Sequence, residues 1–448
     1  MGVFDQIRNN SEKKVVFIGI DGVPYGLVSN NPEVFPNLVE IAEQGIGGQL
    51  SSTVPPESSA CWPALTTGTN PGKTGIYGFQ RRKPGAYETQ IHTKSDIDGP
   101  QVWDIVTNNR RAASVFNVPV TFPPSSSVQR QVSGFLSPDL NKSTTDSEVR
   151  QTIESFGYQL DINVKLGHRE NKSEFLKDAN KTLAARAKAF THYIHKSDWD
   201  LFFGVFMSTD RVNHFMFSDY ANDGEYKSEF LDFYRTLDSH IGRIEQSLNS
   251  NTELIVASDH GFTQLDHEVY LNQWLADNGW LDYASTDHNN LADISETSTA
   301  YSLGSGRVYL NLEDREPNGS VTKDEYEIVR NELIAELKRL TGPDDREVCK
   351  KIMRSEKVFS GNQTEIAPDV IIIPTDGYDL KAGFTGKDNV FKMGPRSGMH
   401  KTENACLFST DPRLALEDAD ILDITPTITE LMNIDTQADR FDGKSLLA

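Results

Sequence analysis

Two kinds of segment alternate along the chain. Four short runs, VVFIGI (15–20), LFFGVF (201–206), ELIVAS (253–258) and DVIIIP (369–374), are apolar at successive positions and rich in β-branched or aromatic residues. A run with no polar face is buried on both sides, the pattern of an interior strand in a parallel sheet. Between them, KSEFLKDANKTLAARAKAFTHYIHK (172–196) and DEYEIVRNELIAELKRL (324–340) carry helical patterns. Strand and helix in alternation predict an α/β fold, with a mostly parallel central sheet and helices on both faces. The stretches 119–127 (PVTFPPSSS) and 303–306 (LGSG) predict loops. Residues 307–370, opening on RVYLNLEDREP, read as a small α+β subdomain within a core built from 1–306 and 371–448.

In such sheets ligands sit beyond the carboxyl ends of the strands, so the residues just after each run matter most. Asp21-Gly22 comes after the first run. Asp210 comes after the second, four residues before His214, a spacing that sets both side chains on one helical face. Asp259-His260-Gly261 comes after the third, and His400 lies late in the chain in SGMHKT. Each signal has an ordinary reading. Asp-Gly after a strand is a turn or a cap, an Asp/His pair is a surface helix pair, and a buried histidine is a satisfied core residue. Together, three aspartates and three histidines supply enough donors for two divalent ions, with zinc and manganese both compatible. His192, His195 and His240 fall on helical stretches and read as solvated or structural.

Composition narrows the partners. The 448 residues exceed a usual single core, and 65 Asp and Glu against 44 Lys and Arg give a net charge of −21. That balance argues against a nucleic-acid polymer, while a small phosphate ester stays allowed because a metal-rich pocket reverses the local sign. Three cysteines without a CxxC argue against a disulfide framework and for a reducing compartment. The opening MGVFDQIRNNSEKKVVFIGIDG has no signal core, and no segment approaches the ~20 apolar residues of a membrane span. The expectation is a soluble, cytoplasmic chain with no membrane partner.

The segment PPESSACWPALTTGTNPGKTG (55–75) sets Ser58, Ser59 and Cys61 among Pro, Gly and Thr, with no periodic apolar face. With IGIDG, NVPVTFPP, VSGFLSPD, STDRVNHFMF, SDHGF and GMHKTENA it resembles the alkaline phosphatase superfamily, in its type I phosphodiesterase/nucleotide pyrophosphatase branch. The pieces run in order from residue 15 past 400, across nearly the whole chain. The resemblance implies one ion held by Asp210, His214 and His400. It implies a second held by Asp21, Asp259 and His260, with the oxygen of the nucleophile as a further ligand. Relatives place that nucleophile ten residues before the Gly of the Thr67-Gly68 pair, at Ser58. Many relatives carry Thr there, and Ser keeps the hydroxyl. Ser58 at a helix N-terminus would gain free N–H groups that favour an anionic phosphate; a plain helix cap is the alternative.

The implied activity is hydrolysis of a phosphodiester or nucleotide pyrophosphate through a phosphoseryl intermediate, on a small substrate such as a nucleotide or nucleotide-sugar. Asn117 in FNVPVTFPP and Arg81 in GFQRRKP are the candidate substrate contacts, and a guanidinium would favour a monoester. Tyr77, Phe79, Trp62 and Trp274 could stack on a base or serve packing. Four other readings stay open. A sulfatase is suggested by CWPAL, but Leu65 stands where Arg is needed and Cys61 lies three residues past the nucleophile. The others are a phosphomonoesterase, a phosphomutase and a catalytically silent metal-binding relative.

Overall fold

The computed structural model describes residues 13–285, 288, 290–383, 389–437 and 439–448. The N-terminal stretch weighed for a targeting signal lies outside them up to residue 12.

The central sheet has seven strands: β1 (Lys14–Ile20), β2 (Ile46–Leu50), β3 (Ala113–Val118), β4 (Arg130–Ser133), β5 (Leu201–Phe206), β6 (Thr252–Ala257) and β7 (Ala405–Ser409). Their spatial order is β2-β7-β6-β1-β5-β3-β4. The run β6-β1-β5-β3-β4 is parallel, and β7 lies antiparallel to both β6 and β2. The unbroken apolarity of β1 is explained by its surroundings. Val16, Ile18 and Ile20 enter one core while Val15 and Phe17 enter the other.

Helices on both faces complete these cores. On one face lie α1 (Ser58–Thr67) and α5 (Ile424–Leu431); on the other lie α2 (Ser173–His195), α3 (Ser208–Ala221) and α4 (Lys227–Gln246). Gly19 in β1 permits a close approach of α1, since a Cβ there would stand 2.4 Å from the Trp62 ring. Cys61, Cys349 and Cys406 are free thiols. No helix among the described residues is long and apolar enough to cross a membrane.

The fourth apolar run is a correction. Val370–Pro374 is not in the parallel sheet; it is a central strand of a separate four-stranded sheet with Ala300–Gly304, Arg307–Leu310 and Cys349–Arg354, antiparallel throughout. Its two faces are buried for a different reason. Val370 and Ile372 pack with Leu333 and Leu337 of the helix Tyr326–Leu337, while Ile371 packs with Tyr77 and Phe359. Double-sided burial shows in the sequence; strand direction does not. The long strand Gly261–Tyr270 continues from the end of β6 and pairs antiparallel with Gly398–Lys401, placing His400 opposite Phe262.

Candidate metal centre and nucleophile

The turns that leave β6, β1 and β5 are stitched to one another. The Gly22 N–H donates to Asp259 Oδ1 (3.2 Å), and Ser52 Oγ donates to the Asp259 carbonyl (2.6 Å). From α3, Thr209 Oγ1 donates to the Asp21 carbonyl (2.6 Å) and Asn213 Nδ2 to the Gly22 carbonyl (2.8 Å). Gly22 itself sits at φ +64, where a Cβ would meet the His260 ring at 3.0 Å. Three adjacent parallel strands thus end in one rigid rim, and the acidic residues are fixed on it.

The inner cluster gathers Asp21, Asp259, His260 and Ser58, all buried. Ser58 opens α1, and its Oγ lies 3.2 Å from Asp21 Oδ1 and 3.2 Å from His260 Nε2. Trp62, one turn along α1, donates from Nε1 to Asp21 Oδ2 at 2.6 Å. His260 Nδ1 lies 3.0 Å from the Gly261 carbonyl, so that nitrogen carries the proton and the Nε2 lone pair faces Asp21 and Asp259 at 3.6 Å. Burial, aided by the Asp259 and Asp210 charges, raises Asp21 well above the ordinary carboxylate range. Burial also pushes Asp259 up to about 7, against the pull of the Gly22 N–H bond.

The outer cluster gathers Asp210, His214 and His400. His400 Nε2 is 3.1 Å from Asp210 Oδ1 and 3.0 Å from His214 Nε2, which is itself 3.4 Å from Asp210 Oδ1. His214 Nδ1 is 3.0 Å from the Gly398 carbonyl. Burial pulls Asp210 up, but His214, the His400 bond and Arg211 outweigh it and hold the group well below the usual range. Burial lowers all three histidines, His214, His260 and His400. The His260 and His400 rings lie 4.1 Å apart, so the two clusters adjoin.

These donors fit cations. Asp21, Asp259 and His260 bring their ligand atoms within 4.8 Å of one another, as do Asp210, His260 and His400. Asp259 Oδ2 is buried without a hydrogen-bond partner. In the outer cluster the two Nε2 atoms face each other and a carboxylate. With Nδ1 of His214 spent on a carbonyl, only a proton or a cation reconciles that arrangement.

The two other sequence candidates have partners outside the two clusters. Arg81 pairs with Asp96 and lines, with Arg82 and Tyr309, a cavity that shares Gln80, Leu303 and Arg307 with the cleft beside the outer cluster. Asn117 is fully buried at the end of β3 at φ +63 and donates from Nδ2 to the Val205 carbonyl (3.3 Å). Of the aromatic candidates, Trp62, Tyr77 and Trp274 are packing residues, while Phe79 lines the cleft beside the outer cluster.

Sequence reasoning missed three charged residues. Glu57, just before Ser58, accepts from the Phe79 N–H (3.0 Å) and from Ser305 Oγ, and lies 4.0 Å from Arg307. Arg211 bonds both Asp210 (2.9 Å) and Asp161 (2.9 Å), its guanidinium lying over Phe135. Arg396 lines the cleft with His214 and His400. The adjacency of Arg211 to Asp210 was visible in TDRVNH; the other two carry no local signal.

The family profile described as Type I phosphodiesterase / nucleotide pyrophosphatase matches residues 15–402. Among curated proteins, none matches the chain in sequence. Among solved structures, similar folds include the phosphonoacetate hydrolase of Sinorhizobium meliloti 1021 in complex with phosphonoformate, at TM-score 0.62 and 15% identity over 94% of this chain and 96% of that one. The alkaline phosphatase PafA aligns at TM-score 0.64 and 13% identity over 97% and 98%. An inactive variant of murine ectonucleotide pyrophosphatase/phosphodiesterase 5, in complex with AMP, aligns at 0.56 and 15% over 98% and 100%. At these identities the likeness speaks for the fold.

Proposed function

The chain belongs to the type I phosphodiesterase/nucleotide pyrophosphatase family, hydrolases of phosphoric ester bonds, and on that premise we propose that it cleaves phosphoric diesters or pyrophosphates by direct attack of Ser58. The observation that carries this reading is the Ser58 hydroxyl, at the start of a buried helix and 3.2 Å from both Asp21 and His260.

Asp21, Asp259 and His260, with Ser58, would hold one divalent cation, and Asp210, His214 and His400 a second, zinc or alternatively manganese. Such cations supply Lewis acidity, lowering the pKa of a coordinated oxygen and offsetting charge on the phosphoryl group. The residues do the rest. Asp21 Oδ1 is the acceptor at hand for the Ser58 proton, its other oxygen fixed by Trp62. The Ser58 and Ser59 backbone N–H groups have no acceptor among the described residues and point from a helix start, where they can hold phosphoryl oxygens. A bond forms from Ser58 Oγ to phosphorus as the bond to the leaving oxygen breaks, giving a phosphoseryl residue that still carries the substrate's remaining substituent, and water then cleaves the Ser58–phosphorus ester to release it. An in-line displacement puts the leaving oxygen across from Ser58, on the side of the outer cluster. The cleft there, about 460 Å³, has room for the substituent of a nucleotide or nucleotide-sugar.

The test is Ser58→Ala with a chromogenic diester, bis-p-nitrophenyl phosphate, beside the matching monoester. Turnover should fall about 10³-fold or more with cation content retained, and wild-type enzyme acid-quenched during turnover of the diester should carry a p-nitrophenylphosphoryl group on the Ser58 peptide. Retained hydrolysis in the variant sinks the assignment.

A further inference from the structure

The cleft beside the outer cluster has an unbalanced wall. Three cationic side chains line it among the described residues: Arg307, Lys381 and Arg396. Arg307 is committed, donating to the Gln80 carbonyl (3.1 Å) and the Leu303 carbonyl (3.0 Å) and facing Glu57. Lys381 pairs with Asp379. Arg396 is half-buried and makes no hydrogen bond or ion pair with any described residue.

Its place is nonetheless fixed. The next residue, Ser397, donates its N–H to the His214 carbonyl (2.7 Å) and accepts from the Leu265 N–H (2.9 Å). Gly398 then offers its carbonyl to His214 Nδ1 (3.0 Å). Arg396 therefore hangs from a strap tied to a member of the outer cluster. In a chain of net charge −21, a guanidinium that shares a cleft with two imidazoles and meets no carboxylate among the described residues is placed for an anion that arrives from outside.

We propose that Arg396 receives a second anionic group of the substrate, carried on the leaving group two or three bonds beyond the reacting phosphorus. The inference rests on the proposed function, in which Ser58 attacks and the leaving group departs toward the outer cluster. A phosphoryl or a carboxylate group satisfies the same fork of N–H donors. The cleft thus selects leaving groups that carry their own charge over neutral alcohols.

Binding tests this without turnover. In the cation-loaded Ser58→Ala protein, calorimetry measures affinity for inorganic pyrophosphate, phosphoglycolate and inorganic phosphate, with cation content checked after each titration. The expected result in Arg396→Gln is a tenfold or greater loss for pyrophosphate, phosphoglycolate or both, and at least several-fold less for phosphate. Arg396→Lys should restore part of it, since a point charge replaces a fork. Loss confined to pyrophosphate assigns a phosphoryl group, and loss confined to phosphoglycolate a carboxylate. Equal loss for all three probes, or none, overturns the proposal. Hydrolysis persisting in Ser58→Ala would instead sink the nucleophile assignment while leaving the binding result readable.

Discussion

The inner and outer clusters use the same two residue types in opposite proportion. The inner one sets two carboxylates and a hydroxyl against one imidazole, and both carboxylates are driven up by burial. The outer one sets a single carboxylate against two imidazoles and Arg211, and that carboxylate is driven down. The inner group therefore has excess negative charge and needs a cation or protons to exist. The outer group is nearly self-neutralised. A cation adds more to the inner cluster, and the outer one should hold it less tightly.

The largest expected effect comes from breaking the inner side. Asp21→Asn removes the oxygen pair shared by Ser58 and Trp62, and kcat should fall about 10⁴-fold. Elemental analysis should show the loss of one divalent cation per chain. His214→Ala on the outer side should cost less, roughly 10²- to 10³-fold, and the cation lost should be the one that dialyses away first from wild-type protein. The asymmetry fails if the outer variant loses more activity, or if both variants lose their cations together.

A third test removes an inner charge in the absence of cations. Asp259 is raised to about 7 by burial, against an ordinary carboxylate value near 3.9 in the unfolded chain. The folded state then holds its proton more tightly than the unfolded state. This contributes stability that is fully present below the unfolded pKa and is lost as pH rises through 7. Asp259→Asn mimics the protonated form. Under chelation, its stability relative to wild type should increase by about 2 to 3 kcal/mol between pH 5 and pH 8, read by denaturant unfolding. With excess divalent cation the order should reverse, because an amide is the poorer ligand. A pH-independent difference under chelation would show that Asp259 is not the buried acid inferred here.

Legibility in the sequence falls along the same divide between backbone-driven and contact-driven features. Asp21, Asp210 and Asp259 were visible because strands apolar on both faces end abruptly, and the architecture fixes where those ends lie. Ser58 was named only through the family resemblance, which counts ten residues back from Gly68; its spacing alone carries no such signal. Arg81 was offered for its guanidinium within GFQRRKP, and its pairing with Asp96, which lies outside that segment, was not legible. Val370–Pro374 misled because burial of both faces has two causes, and only long-range pairing separates them. Glu57 and Arg396 were illegible for a third reason: the surroundings of each depend on contacts remote in sequence. Glu57 meets Ser305 and Arg307 of a distant sheet, and Arg396 sits on a strap beside His214. No local pattern encodes either.

Glu57 gives the smallest and most pointed test of how the inner side is held. It precedes the nucleophile, and its carboxylate links three things: the Phe79 N–H, Ser305 Oγ and the buried Arg307 of the antiparallel sheet. A Cβ on Gly78 would meet Arg307 and Glu57 at about 2.5 Å, so the packing around this link is close. Glu57→Gln keeps the shape and one acceptor but removes the charge that faces Arg307. Since Glu57 does not touch the reacting atoms, its role is to set the angle at which α1 presents Ser58. The expected outcome is about a tenfold fall in kcat, roughly 1.4 kcal/mol in the barrier, with KM for the chromogenic diester nearly constant. Glu57→Ala also leaves the Phe79 N–H and Ser305 Oγ without their acceptor and should add a stability loss of about 2 kcal/mol. A purely structural role predicts the stability loss in both variants in proportion to the activity loss; a positioning role predicts that the Gln variant loses turnover at almost unchanged stability, so measuring kcat and denaturant midpoint on the same samples separates the two.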